Sequence, residues 1–110
     1  MKSVAPRPGR KVRGSKSGRP IMALLDLLGR RGTLRVLWEL REGAALTFRA
    51  LASAAELPPA TLNVRVQELR ELGIVTAGEG YSLTPLGLEL IVAFAPLDAW
   101  SRRWERQLRP

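Results

Sequence analysis

A mainly α-helical domain carrying one small β-hairpin is what this sequence predicts, and three observations predict it. From residue 20 onward, apolar residues recur at helical spacings of three and four, punctuated by prolines and glycines where helices start and stop. The periodicity changes once, at Ile74–Ala77 and Tyr81–Thr84, two short strand-like runs joined by Gly78-Glu79-Gly80. The chain has 110 residues and no cysteine, which leaves room for one small domain without disulfides.

The first 19 residues stand apart from the rest. Of 18 Lys and Arg in the chain, seven lie here (Lys2, Arg7, Arg10, Lys11, Arg13, Lys16 and Arg19) with no carboxylate, whereas the other eleven face ten acids. With proline, glycine and serine in between, this segment has too little apolar surface to offset its chain entropy, and a disordered basic arm over residues 1–19 is expected. Residues 20–110 then form a nearly neutral domain. A cationic arm on such a domain points to a polyanion, nucleic acid before an anionic membrane surface. The apolar run Ile21–Leu28 comes late and contains Asp26, unlike a secretory leader, and no stretch reaches the roughly 18 apolar residues of a membrane span.

Pro20 opens a first helix that Gly29 closes, with Ile21, Leu24, Leu25 and Leu28 as its apolar stripe. Thr33 is the expected cap of a second helix running to about Glu42 and stopped by Gly43. Its apolar positions (Leu34, Val36, Leu37, Trp38, Leu40) cover more than half its circumference, as a central, mostly buried helix requires. Leu46-Thr47-Phe48 reads as a brief extended piece, and Arg49 to about Glu56 as an Ala-rich third helix anchored by Leu51. After Leu57-Pro58, a fourth helix spans 59–73, from Pro59 in its first turn to Gly73 at its C-terminal cap. The hairpin follows. Thr84 and Pro85 then start a long helix with the stripe Leu86, Leu90, Phe94, Leu97, Trp100 (or Ser101), Trp104 and Leu108, which Pro96 should kink or divide. Helix, helix, strand, helix, helix, hairpin, helix is the order of a winged helix-turn-helix with an added C-terminal helix.

Helix 59–73 carries the functional signal. Leu62, Val66 and Leu69 share one face; Ala60, Asn63, Val64, Gln67 and Glu71 share the other, with Thr61 and Arg70 at its flanks. Amides and hydroxyls on an outward helical face can bond base edges, and small residues near its N-terminus allow close approach to DNA. Ala60, Thr61, Asn63, Val64 and Gln67 are therefore the candidate base readers, and the arm cations with Arg65 and Arg70 the candidate phosphate contacts. Glu39/Glu42 and Glu68/Glu71 read as solvent-facing carboxylates in pairs such as Arg35–Glu39. With neither His nor Cys, and all three lysines in the arm, the chain lacks an imidazole base, a thiolate nucleophile and a common zinc set. No enzyme, cofactor or metal is expected.

From Arg19 to about Trp104 the sequence resembles the HxlR-type winged-helix regulators of bacteria, relatives of the MarR group. The resemblance rests on Pro20, Leu25-Asp26-Leu27-Leu28-Gly29, Thr33-Leu34, Leu37, Glu39-Leu40, Phe48 and Leu51. It continues through Pro59, Leu62, Glu68-Leu69, Gly73-Ile74-Val75, Tyr81-Ser82-Leu83-Thr84, Gly87, Leu90, Leu97 and Trp100. It implies a homodimeric, double-stranded-DNA-binding transcriptional regulator, cytoplasmic and acting on the bacterial nucleoid, with helix 59–73 in the major groove. The chain departs from that pattern at three places. Arg19 stands where the family often has Cys, which excludes a thiol switch there; Gly32 replaces a usual Trp; and the hairpin loop is short and acidic where family wings are longer and often basic.

The apolar residues of the first and last helices exceed what a core of some 90 residues covers. Ile21, Leu24, Leu25, Leu28, Phe94, Leu97, Trp100 and Trp104 are thus the expected homodimer surface. A small-molecule effector is compatible with such a protein, but no residue pattern specifies one. The rival reading is a winged-helix protein-interaction module without sequence-specific DNA binding. RNA binding ranks third, because few aromatics are free to stack on bases.

Overall fold

The computed structural model describes residues 4–110, in which six helices and one hairpin follow each other as α1 (Pro20–Leu28), α2 (Thr33–Glu39), α3 (Phe48–Ala55), α4 (Pro59–Glu71), β1 (Val75–Ala77), β2 (Tyr81–Leu83), α5 (Pro85–Ala93) and α6 (Ala95–Leu108). This is a winged helix-turn-helix, mostly helical with one two-stranded antiparallel hairpin. Lys2 lies outside the described residues.

The core is built from α2, α3 and α4. Val36, Leu37, Leu40, Leu51, Leu62, Val66 and Leu69 are all buried, and Ile74, Val75 and Leu83 extend the cluster under the hairpin. Local chemistry sets the joints. The Thr47 hydroxyl accepts the Ala50 amide at the start of α3, and the Thr84 hydroxyl accepts the Gly87 amide at the start of α5. Gly73, at φ 76°, ends α4: its amide donates to the Arg70 carbonyl while that of Ile74 reaches the Leu69 carbonyl at 2.9 Å, so two orphan carbonyls are satisfied and the chain turns into β1. In the hairpin, Val75 faces Leu83, Thr76 faces Ser82 and Ala77 faces Tyr81. Leu46 exchanges both backbone hydrogen bonds with Tyr81, so the expected extended piece shrinks to a one-residue bridge, and Phe48 already belongs to α3.

Several sequence expectations need correction. In α1 the core receives Ala23 and Leu27, whereas Ile21 and Leu25 are exposed and Leu24 and Leu28 half-buried. Apart from Asp26 this helix is apolar on every side, so the sequence offers two stripes and tertiary packing chooses. Thr33 does not cap α2. Gly32 holds the cap position at φ 90°, and Thr33 lies fully buried with a hydroxyl that finds no hydrogen-bond partner among the described residues. That helix ends at Glu39, and its Leu34 and Trp38 remain about half exposed. Pro96 divides the last helix, as expected: α5 ends at Ala93, and α6 starts with the proline in its first turn.

Residues 4–19 of the arm, expected to be disordered, lie on the body. Ala5 and Pro6 are buried, and with Ala23, Leu27, Leu72 and Ile74 the arm's prolines wall an apolar cavity of about 330 Å³. Arg7 donates to the Glu71 carbonyl at the end of α4, at 3.2 Å. Residues 9–18 form a loop closed at its neck by the Gly9 amide on the Gly18 carbonyl, 2.7 Å, and at its tip by paired bonds between Val12 and Ser15.

Gly87 fixes how closely α5 approaches the hairpin, since a Cβ there would stand 2.3 Å from the Ile74 carbonyl oxygen. Gly87→Ala should therefore lower unfolding stability by about 1–3 kcal/mol in urea titrations. Gly78→Ala, where a Cβ meets nothing within 4 Å, should change it by no more than about 0.5 kcal/mol.

Candidate nucleic-acid interface

The helix-turn-helix is α3, the turn at Glu56-Leu57-Pro58, and α4. Its turn is tight because Glu56 takes a left-handed conformation (φ 55°), which lets the Leu57 amide bond back to the Ala52 carbonyl. Arg35 of α2 closes the same end of α3 through its guanidinium on the Ala54 carbonyl, 2.9 Å, while also pairing with Glu39 at 2.9 Å. Leu57 packs where any side chain at position 32 would lie, so Gly32 is what lets the turn sit against the start of α2.

On α4, Leu62, Val66 and Leu69 face inward, as the spacing predicts. Ala60, Asn63, Gln67 and Arg70 are exposed, and Thr61 and Val64 are half-buried at the edges of the outward face. The five expected base readers thus lie on one helix, with three of them unobstructed. The hairpin beside them offers no cation: its tip is Gly78-Glu79-Gly80.

Glu68 and Arg65 are placed differently from expectation. Glu68, expected in solvent, is 1% exposed and receives both Arg65 (2.7 Å) and Arg30 on its two carboxylate oxygens. Arg65, expected on phosphate, thus turns its guanidinium inward. Arg30 also grips Asp26, Nε to Oδ1 at 3.2 Å and Nη2 to Oδ2 at 3.4 Å, and donates to the Val4 carbonyl at 2.8 Å. Burial works to raise the Asp26 carboxyl, but hydrogen bonds from Arg30 and the Arg13 amide, with the charge of both, hold it below its ordinary value. Burial likewise opposes the Arg30 charge, and Asp26 with Glu68 overcomes it. Sequence reasoning misses these four residues as a unit. The Asp26–Arg30 spacing of four is the available signal; nothing local announces a partner on α4, 38 positions away from Arg30.

Of the arm cations, Arg7, Arg10, Lys11, Arg13, Lys16 and Arg19 are all exposed, four of them on the 9–18 loop. Val12 and Ser15 flank a two-residue tip, Arg13-Gly14, with Gly14 at φ 81°. The expected dimer residues are all accessible to some degree: Ile21, Leu25, Leu97, Trp100 and Trp104 are each at least half exposed, and Leu24, Leu28 and Phe94 are intermediate. Trp100 and Trp104 stack on each other, ring centres 5.7 Å apart, and α6 has no buried residue. Among the described residues no group of three or more His, Cys, Asp or Glu is placed to hold a metal ion, and no helix is long and apolar enough to cross a membrane.

Residues 33–76, from the start of α2 into β1, match the winged helix-turn-helix DNA-binding family. An uncharacterized HTH-type transcriptional regulator of Methanocaldococcus jannaschii is 25% identical over 95 residues, covering 81% of this chain and 89% of its own. Among solved structures, quinone-bound YodB from B. subtilis has a TM-score of 0.70 at 24% identity, over 76% of this chain and 96% of that one. A MarR family protein of Mycobacterium tuberculosis reaches 0.60 at 27% identity, over 78% and 68%. The chain thus has the winged helix-turn-helix fold and is similar to a protein described as an HTH-type transcriptional regulator and to a MarR family protein.

Because the Asp26 carboxyl titrates below its unfolded value, its contribution to stability is present above the ordinary carboxylate range and lost as pH falls through its folded value. Asp26→Asn should accordingly melt below the wild type at neutral pH, with the gap closing as pH falls below the ordinary carboxylate range. Parallel melting curves across that fall in pH would contradict this.

Proposed function

We propose that the protein is a sequence-specific, double-stranded-DNA-binding transcriptional regulator of the HxlR type, working as a homodimer in the cytoplasm on the nucleoid. The observation that carries this reading is α4: a helix in the second position of a helix-turn-helix, dry on one side and presenting Asn63 and Gln67 free on the other. In the proposed complex α4 enters the major groove, where Ala60 and Val64 allow close approach and Thr61, Asn63 and Gln67 bond base edges. Arg70 and the exposed arm cations contact phosphates; Arg65 orders Glu68 instead. The 9–18 loop, a narrow hairpin with an arginine at its tip, takes over the minor-groove or backbone contact that the acidic wing cannot make. The likeness to the HTH-type transcriptional regulator of M. jannaschii and to the MarR family protein of M. tuberculosis supports this assignment. YodB was solved with a quinone bound; any effector of the present chain acts without thiol chemistry, since the chain has no cysteine.

Selection of bound sites from random duplex DNA tests the reading directly. A palindrome with half-sites about one helical turn apart is expected; no enrichment would overturn it in favour of the protein-interaction module. On the selected site, Asn63→Ala or Gln67→Ala should cost about 1–3 kcal/mol while leaving nonspecific binding and its salt dependence unchanged. Neutralising Arg10, Lys11, Arg13 and Lys16 to Gln should instead weaken all duplexes alike, flattening log K against log[salt] by about 0.9 for each phosphate no longer neutralised. An unchanged slope removes the arm from the interface.

The exposed α1 and α6 residues support assembly with a second copy. Sedimentation at micromolar concentration should give a dimer, and Trp104→Ala should shift it measurably towards monomer, because interface energy concentrates in buried aromatics. A wild-type species of 12.1 kDa would refute the dimer.

A further inference from the structure

We infer that Arg30, which lies outside the helix-turn-helix, is a positioning residue for base reading: its guanidinium sets the rotation of α4 about its own axis by holding Glu68. The inference rests on α4 being the reading helix and adds the device that aims it.

The apolar grip on α4 is narrow. Three side chains, Leu62, Val66 and Leu69, define its buried stripe, and such a stripe permits a helix to roll by some degrees while its side chains repack. Glu68 stands next to Gln67 on the chain and 100° around the helix from it, so whatever fixes the direction of one fixes that of the other. Both carboxylate oxygens of Glu68 are engaged. Arg65 reaches Oε1 from within the same helix and cannot resist a roll, because it moves with it. Arg30 reaches Oε2 from beyond the end of α1 and can.

Arg30 is itself fixed. Its fork closes on both Asp26 oxygens, and the Nη1 that meets Glu68 also meets the Val4 carbonyl. A lysine could keep the charge but not this geometry, having one flexible ammonium in place of a planar fork. Burial makes the joint stiff as well as specific: Asp26 and Glu68 side chains are 4% and 1% exposed and the Arg30 side chain 20%, so water can substitute for few of these bonds. The charges of Asp26, Arg30, Arg65 and Glu68 cancel, which leaves little net field for phosphate binding and separates this role from the electrostatic one.

The test compares wild type, Arg30→Lys, Arg30→Gln, and Arg30→Gln with Asp26→Asn, each kept well below its melting temperature. The ratio of affinity for the selected site to affinity for unrelated duplex is measured, with melting temperature and salt slope alongside. Arg30→Lys is expected to lower that ratio by about tenfold, the scale of one base-edge hydrogen-bond pair, with nonspecific affinity and salt slope intact. Arg30→Gln alone strands the buried Asp26 carboxylate, while Glu68 keeps Arg65, and should melt lower; the double variant relieves that charge and should recover melting temperature without recovering the ratio. A ratio that returns with stability, or that never falls, overturns the positioning role. A wild type without site preference overturns it together with the reading of α4, so the two failures are distinguishable.

Discussion

Leu62, Val66 and Leu69 enter a core that also holds Val36, Leu37, Leu40 and Leu51, and the placement of every outward residue on α4 depends on that contact. A helix of 13 residues is marginal alone in water, so α4 exists chiefly because this edge is buried. The same burial decides which residues are left over. With the apolar edge consumed, Asn63 and Gln67 have no intramolecular role and stand free, and the two amides in one register are a by-product of where three aliphatic side chains must go. The hairpin is subordinate to the same arrangement: Ile74, Val75 and Leu83 join the cluster only because Gly73 turns the chain back over it.

Features governed by a few consecutive residues are legible in the sequence. Thr84 capping α5, Gly73 ending α4, Pro96 dividing the last helix and the glycine-flanked hairpin turn each depend on backbone chemistry within four or five positions. The outward face of α4 is legible for the same reason, as a matter of periodicity. What cannot be read depends on distant partners. Glu68 looks like any surface glutamate until Arg30 is brought to it, and α1 carries two apolar stripes between which only the folded body discriminates. Thr33 misleads because Gly32, able to adopt φ 90°, takes the cap position one residue earlier. The arm illustrates the limit of composition. Two buried residues, Ala5 and Pro6, and a few backbone bonds seat a segment whose overall makeup reads as disordered.

Charge is sorted by location more than by amount. The inner cluster is largely buried with its charges balanced, the outward face of α4 is polar with little charge, and the positive surplus sits on a loop beside α1. Such sorting suits recognition of a polyanion by two mechanisms at once: directional bonds where geometry is rigid, and diffuse attraction where it is not. Ring nitrogens of histidine and thiols are absent, so no side chain has an ordinary pKa near neutrality. The electrostatic part of any such interaction is therefore steady across physiological pH.

The unburied α6 has a consequence for abundance. None of its 14 residues is fully buried, so the helix depends more than the others on whatever covers Leu97, Trp100 and Trp104. If a second copy provides the cover, helix formation and pairing become one event whose extent rises with the square of protein concentration at low occupancy. Paired half-sites would then fill over a narrower range of expression level than a monomer could achieve. The stacked indoles would make the cell's copy number of this protein a variable to which its own binding responds.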